Sequence, residues 1–140
     1  MTRVVIVDTG PLLAFLDRRD RWHDWTRQTL SDLRPPLLTC EAVLTEACYL
    51  ASRMDGGLEN MLGVFQRGAA RIAFTVEGEL SQLADLTHRH ANVPMSFADA
   101  CLVRMCEHCD DAAVLTLDSD FRIYRKHRRR KIPLIIPDGI

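Results

Sequence analysis

Val4, Val5, Ile6 and Val7 are apolar at every position, so a strand built from them has no face to offer water. Such a run suits a parallel strand covered on both sides, and Thr9-Gly10-Pro11 directly after it marks a tight turn. Asp8 therefore stands where the strand ends. In an open α/β sheet the crevice beyond the carboxyl ends of the strands is the usual place for a ligand, which puts this carboxylate where chemistry is done.

The rest of the chain repeats the alternation of short apolar run and helical spacing. Gly10-Pro11 opens a short helix that runs to Leu16, and residues 22–33 read as a second helix stopped by Pro35-Pro36. A short strand over 37–40 follows. Val43, Ala47, Leu50 and Met54 recur at helical spacing and predict a helix over 41–54, broken at Asp55-Gly56-Gly57 and resumed over 58–67. A strand over 71–75 and a helix over 77–89 come next. Ser96-Phe97-Ala98-Asp99 has the form of a helix start, and the helix it opens, 97–109, is apolar nearly all round and belongs at the centre. Strands over 113–117 and 132–136 complete the pattern. Strands that alternate with helices predict an α/β fold with a mostly parallel sheet covered on both faces. Right-handed crossovers place the first strand in the middle, with later strands on either side.

A chain of 140 residues suits a single domain, 1–140, large enough to bury a core without staples. With 47% apolar and 26% charged residues it is neither disordered nor fibrous. No apolar run nears the roughly 20 residues needed to cross a bilayer, and no signal peptide is legible, so a cytoplasmic protein with no membrane partner is expected. Its five cysteines then read as reduced thiols. Cys106-Glu107-His108-Cys109 has a spacing that could serve zinc but lacks a second ligand pair, so buried thiols are the expectation. The net charge of −1 by itself points to no polyanion, and the distribution of charge is more informative. Arg122, Arg125, Lys126, Arg128, Arg129, Arg130 and Lys131 form one dense run, which serves either as a solvated face or as a footprint for phosphates or an acidic segment.

The acids are the informative set. Taken singly, Asp8 can cap the helix after the first strand, Asp99 can reciprocate the Ser96 cap, and Asp118 can cap a turn from Ser119. Glu46 is different: it falls beside the apolar face of the 41–54 helix, where a carboxylate needs a partner. Taken together, two acids end apolar strands, one opens the central helix and one points toward the sheet. In a parallel sheet these positions share an edge. Carboxylates that crowd there raise one another's pKa unless a cation sits among them, and an all-oxygen ligand set suits Mg²⁺ or Mn²⁺ with phosphate completing the shell.

The segments Val5-Ile6-Val7-Asp8-Thr9, Val43-Leu44-Thr45-Glu46-Ala47, Phe97-Ala98-Asp99-Ala100 and Thr116-Leu117-Asp118-Ser119-Asp120-Phe121, in this order and spacing, resemble the PIN domain, and in particular the VapC-type toxin ribonucleases of toxin–antitoxin pairs. The resemblance spans essentially the whole chain. It implies a three-layer α/β/α sandwich and a Mg²⁺- or Mn²⁺-dependent endoribonuclease. Asp8, Glu46, Asp99 and Asp118 would form the acidic quartet, Thr9 and Thr116 would steady it, and Asp120 would be an extra acid beside it. It further implies an RNA substrate, a cognate antitoxin that wraps the groove, and a homodimer.

On this reading Asp8, Asp99 and Asp118 hold the metal, Glu46 orients or deprotonates the attacking water, and the basic run holds RNA phosphates. His23, His88 and His90 read as surface residues. No Ser-His-Asp or Cys-His set and no Gly-rich phosphate loop is legible. Two alternatives stand beside it: a Mg²⁺-dependent phosphatase of a small phosphoester, and a non-catalytic module whose acids are only caps. Haloacid-dehalogenase-like phosphatases carry a second acid two residues after the first, where this chain has Gly10.

Overall fold

The computed structural model describes residues 3–140. Strand β1 (Val4–Val7) is the middle strand, and Val5, Ile6 and Val7 are buried as their composition requires. It is followed by helices α1 (Thr9–Leu16) and α2 (His23–Ser31), strand β2 (Leu37–Thr39), helices α3 (Glu41–Ala51) and α4 (Gly57–Gln66), and strand β3 (Ala70–Ile72). Helices α5 (Leu80–Arg89) and α6 (Phe97–Glu107) lead to strand β4 (Ala112–Leu115), buried at all four positions. A 3₁₀ turn (Ser119–Arg122), a hairpin of β5 (Arg125–Lys126) and β6 (Arg130–Lys131), and a last strand β7 (Leu134–Ile135) end the chain.

The five-stranded sheet has the order β3-β2-β1-β4-β7 and all its pairings are parallel. Val4 to Val7 lie opposite Ala112 to Leu115, so β1 and β4 end level with each other. From β1 the chain builds outward through β2 and β3, then returns to add β4 and β7 on the other side. The order reverses between β1 and β4, and the carboxyl ends of those two strands are where such a sheet opens a crevice. Helix α6 lies against both strands and buries eight of its side chains, as its apolar composition predicts. Helices α1, α3 and α4 pack on one another. Among the described residues no helix is long and apolar enough to cross a membrane.

The parallel sheet, the central first strand and every predicted helix and sheet strand are found, with bounds shifted by a few residues. Helix α1 starts at Thr9 because Asp8 caps it, which leaves Pro11 in the first turn where its missing N–H is not needed. The antiparallel β5–β6 ribbon has no counterpart in the sequence reading. Two-residue strands of Arg and Lys carry no apolar alternation by which to recognise them.

Candidate metal centre

Each aspartate of the set is placed by a cap, and each cap opens on the same edge. Asp8 follows β1 and is the N-cap of α1, its Oδ1 accepting from the Thr9 N–H at 2.8 Å. Its Oδ2 accepts from the fully buried Thr116 hydroxyl at 2.8 Å. That hydroxyl oxygen in turn accepts from the Asp118 N–H at 3.0 Å, so Thr116 links the residues that follow β1 and β4. Asp118 caps the 3₁₀ turn, with Oδ1 accepting from the Asp120 N–H at 2.8 Å. Asp99 is the third residue of α6 and completes a capping box. Its N–H donates to Ser96 Oγ at 3.0 Å, and its Oδ2 accepts from the Ser96 N–H at 3.4 Å.

The caps do not compete with a site; they build one. Asp8, Glu46, Asp99 and Asp118 all line one cleft of ≈ 450 Å³, with Thr9 and Ser96 among them and Leu13, Leu50, Pro94 and Leu117 as apolar walls. Helices α1 and α6 both begin at this cleft, and their N-terminal N–H groups favour negative charge there. Asp8 is 8% and Asp99 9% exposed. Burial pushes the Asp8 carboxyl up to about 6, with repulsion from Asp99 and Asp118 adding to it against the hydrogen bonds from Thr116 and Thr9. Burial also raises Asp99, with Asp118 again contributing, while the hydrogen bond from Tyr124 works the other way. Two buried carboxylates that repel each other make this end of the cleft a concentrated patch of negative charge.

Several expectations meet a different geometry. Glu46 lines the cleft but is exposed and has no ion-pair partner among the described residues, so no satisfied partner explains it. Thr9 supports Asp8 with its backbone N–H, while its buried Oγ1 has no hydrogen-bond partner among the described residues. Asp120 stays outside the cleft lining, and its contribution to Asp118 is a backbone N–H. Two residues beyond Asp8 the space is tight: a Cβ on Gly10 would meet Leu117 Cβ at 3.3 Å, so an acid of the phosphatase kind there would have to push Leu117 aside.

The basic run divides sharply. Lys126 is 5% exposed on the side of the hairpin that faces α6, beside Cys106. Arg125 Nη1 donates to the carbonyls of Arg122, Ile123 and Tyr124 at 2.8, 3.0 and 3.0 Å, and Arg122 Nη2 donates to the Ile140 carbonyl at 3.2 Å. Arg128 stands 3.5 Å from Asp85. Arg129, Arg130 and Lys131 are exposed and enter no ion pair among the described residues. The cysteines are free thiols, and His108 at the proposed zinc spacing instead meets Glu79 at 2.6 Å.

Compared with known families, residues 5–127 match the model of the PIN domain. The chain belongs to the PIN domain family. Among solved structures this PIN domain is similar to VapC20 of Mycobacterium tuberculosis, described as a sarcin–ricin loop cleaving toxin, with a TM-score of 0.74 and 19% identity over 83% of this chain and 91% of that one. At that identity the likeness is one of fold. A search of curated proteins found no match.

What this PIN domain offers a cation can be read from its donors. Among the described residues nothing donates to Asp99 Oδ1 or Asp118 Oδ2, and Asp8 accepts a single bond on each oxygen, which leaves lone pairs on all three. The set is all oxygen, which suits a hard divalent ion. Among the described residues no three acidic, His or Cys side chains stand close enough to enclose an ion by themselves. Sequence reasoning missed two members of the site. In the sequence Ser96 shows only as a cap, and Tyr124, whose hydroxyl donates to Asp99 Oδ2 at 2.9 Å, lies 25 residues away with no local signal.

Proposed function

We propose that this chain is a divalent-metal-dependent endoribonuclease that hydrolyses RNA phosphodiester bonds, using Mg²⁺ or Mn²⁺. The observation that carries the reading is the convergence of four carboxylates on one cleft at the β1/β4 switch point, two of them buried and repelling each other. Asp8, Asp99 and Asp118 would hold the ion. When bound, it supplies Lewis acidity toward the phosphodiester and a more acidic attacking water. Thr116 and the Thr9 N–H fix Asp8, and the capping box fixes Asp99, so the ligands are oriented before any ion arrives. Glu46, exposed at the cleft and unpaired among the described residues, would take a proton from the attacking water.

RNA as the substrate is supported by membership of the PIN domain family, and the fold is shared with VapC20, whose description names the sarcin–ricin loop as what that protein cleaves. Of the basic run, Arg129, Arg130 and Lys131 are exposed without an ion pair among the described residues and would hold phosphates outside the cleft lining. We further place the chain as the toxin of a toxin–antitoxin pair, a cytoplasmic homodimer silenced by a cognate antitoxin. The test is cleavage of a labelled RNA by the purified chain with Mg²⁺, with Mn²⁺ and with EDTA. Cleavage that needs the ion and disappears in Asp99→Asn supports the reading. An ion-independent rate, or an Asp99→Asn variant as active as the parent, would remove it. Induced expression in a bacterial host tests the toxin assignment: growth arrest with the parent and normal growth with Asp99→Asn is the expected result.

A further inference from the structure

Asp99 arrives at the cleft from α6 and Asp118 from the β4–β7 connection, and one side chain bridges the two elements. Tyr124 follows the 3₁₀ turn that Asp118 caps, and its N–H donates to the Asp120 carbonyl at 3.1 Å. From there its hydroxyl reaches back across 25 residues to Asp99 Oδ2 at 2.9 Å. The ring is wholly buried and wedged edge-on by Phe121 (centroids 5.1 Å apart) and His90 (5.4 Å), so it has little room to swing. Its other contact, to the Pro94 carbonyl at 3.4 Å, is longer and uncharged, and the carboxylate is the better acceptor.

We infer that Tyr124 is a positioning residue for the ion: its hydroxyl holds Asp99 Oδ2 and leaves Oδ1 as the oxygen free to ligate, while tying the Asp99 helix to the Asp118 loop. Without that bond, Oδ2 keeps only the 3.4 Å contact from the Ser96 N–H. The carboxylate can then rotate, and the spacing between two ligands from separate elements loses its fixed strut. Partners of this kind change metal affinity by roughly 10–100-fold when removed. The inference rests on the proposed metal site.

Calorimetric titration of Mn²⁺ into the purified full chain tests it, for the parent, Tyr124→Phe, Asp99→Asn and the double variant, with EDTA melts alongside. Tyr124→Phe keeps the ring and its packing. The expected result is a Kd at least tenfold weaker in Tyr124→Phe with a melting temperature within a few degrees of the parent, and no further loss when Tyr124→Phe is added to Asp99→Asn. A purely structural tyrosine would lower the melt and leave the Kd alone, and a Tyr124→Phe Kd within twofold of the parent overturns the inference while the metal site stands. A parent that binds no Mn²⁺ overturns both. Should Tyr124→Phe not fold, the intact chain labelled with 3-fluorotyrosine serves instead. It has two tyrosines, and Tyr49→Phe assigns their signals. The Tyr124 fluorine resonance should move with Mg²⁺ in step with binding, and an unmoved resonance refutes the inference.

Discussion

Replacing Asp8 with Asn should make the metal-free protein more stable, although it removes a capping carboxylate with two good hydrogen bonds. Burial and the neighbouring acids raise the Asp8 carboxyl from its ordinary 3.8 to about 6. At 1.36 kcal/mol per pH unit, holding that group ionised at pH 7 costs the fold about 3 kcal/mol. The Asn oxygen still accepts from the Thr9 N–H, but its amide faces the Thr116 hydroxyl with donors where the carboxylate accepted, a mismatch of about 1 kcal/mol. The net gain is about 2 kcal/mol, or on the order of 5 °C in melting temperature for a domain of this size. The pH dependence follows from the direction of the shift. The folded chain keeps this proton to higher pH than the unfolded chain, so the parent has its full stability below about pH 4 and loses this increment as pH rises through about 6. Melts in EDTA from pH 4 to 8 should show the parent declining more steeply than Asp8→Asn. Saturating Mn²⁺ should reverse the order, raising the parent and leaving the variant where it was. An Asp8→Asn protein less stable than the parent at pH 7 in EDTA would refute the account of the cleft as a strained negative site.

Glu46→Gln alters an exposed, unpaired side chain, so stability should stay within about 0.5 kcal/mol while RNA cleavage falls by roughly 10²-fold or more, read as single-turnover rate against chemical melt. Reversing Arg129, Arg130 and Lys131 to Glu should reduce the slope of log binding constant against log salt by about 2 in a filter-binding series with single-stranded RNA. Lys126→Met should leave that slope untouched, because the parent side chain is buried against α6. Ser96→Ala removes the side-chain half of the α6 cap and should cost about 1 kcal/mol in urea unfolding.

Much of this architecture is written locally. Val4–Val7 and Ala112–Leu115 are apolar on both faces, so each had to be an interior strand, and strands alternating with helices had to form a parallel sheet. Asp8, Asp99 and Asp118 could be placed at strand ends and helix starts because caps are short-range signals, and the structure shows all three caps formed. Glu46 was harder, since helical spacing gives an angle around α3 but not what lies along that direction; open cleft, not a buried partner, is what it meets.

The sequence by itself determined which residues are carboxylates at strand ends, that those strands are parallel, and that a dense cationic run follows the last of them. Only the tertiary structure decided that Thr116 serves both Asp8 and Asp118, that Tyr124 holds Asp99, and that Lys126 is buried on the hairpin while Arg129, Arg130 and Lys131 remain in solvent. The reason is one of range. Periodicity and capping act over three or four residues, whereas a shared hydrogen bond or a buried amine depends on which elements the sheet order brings side by side.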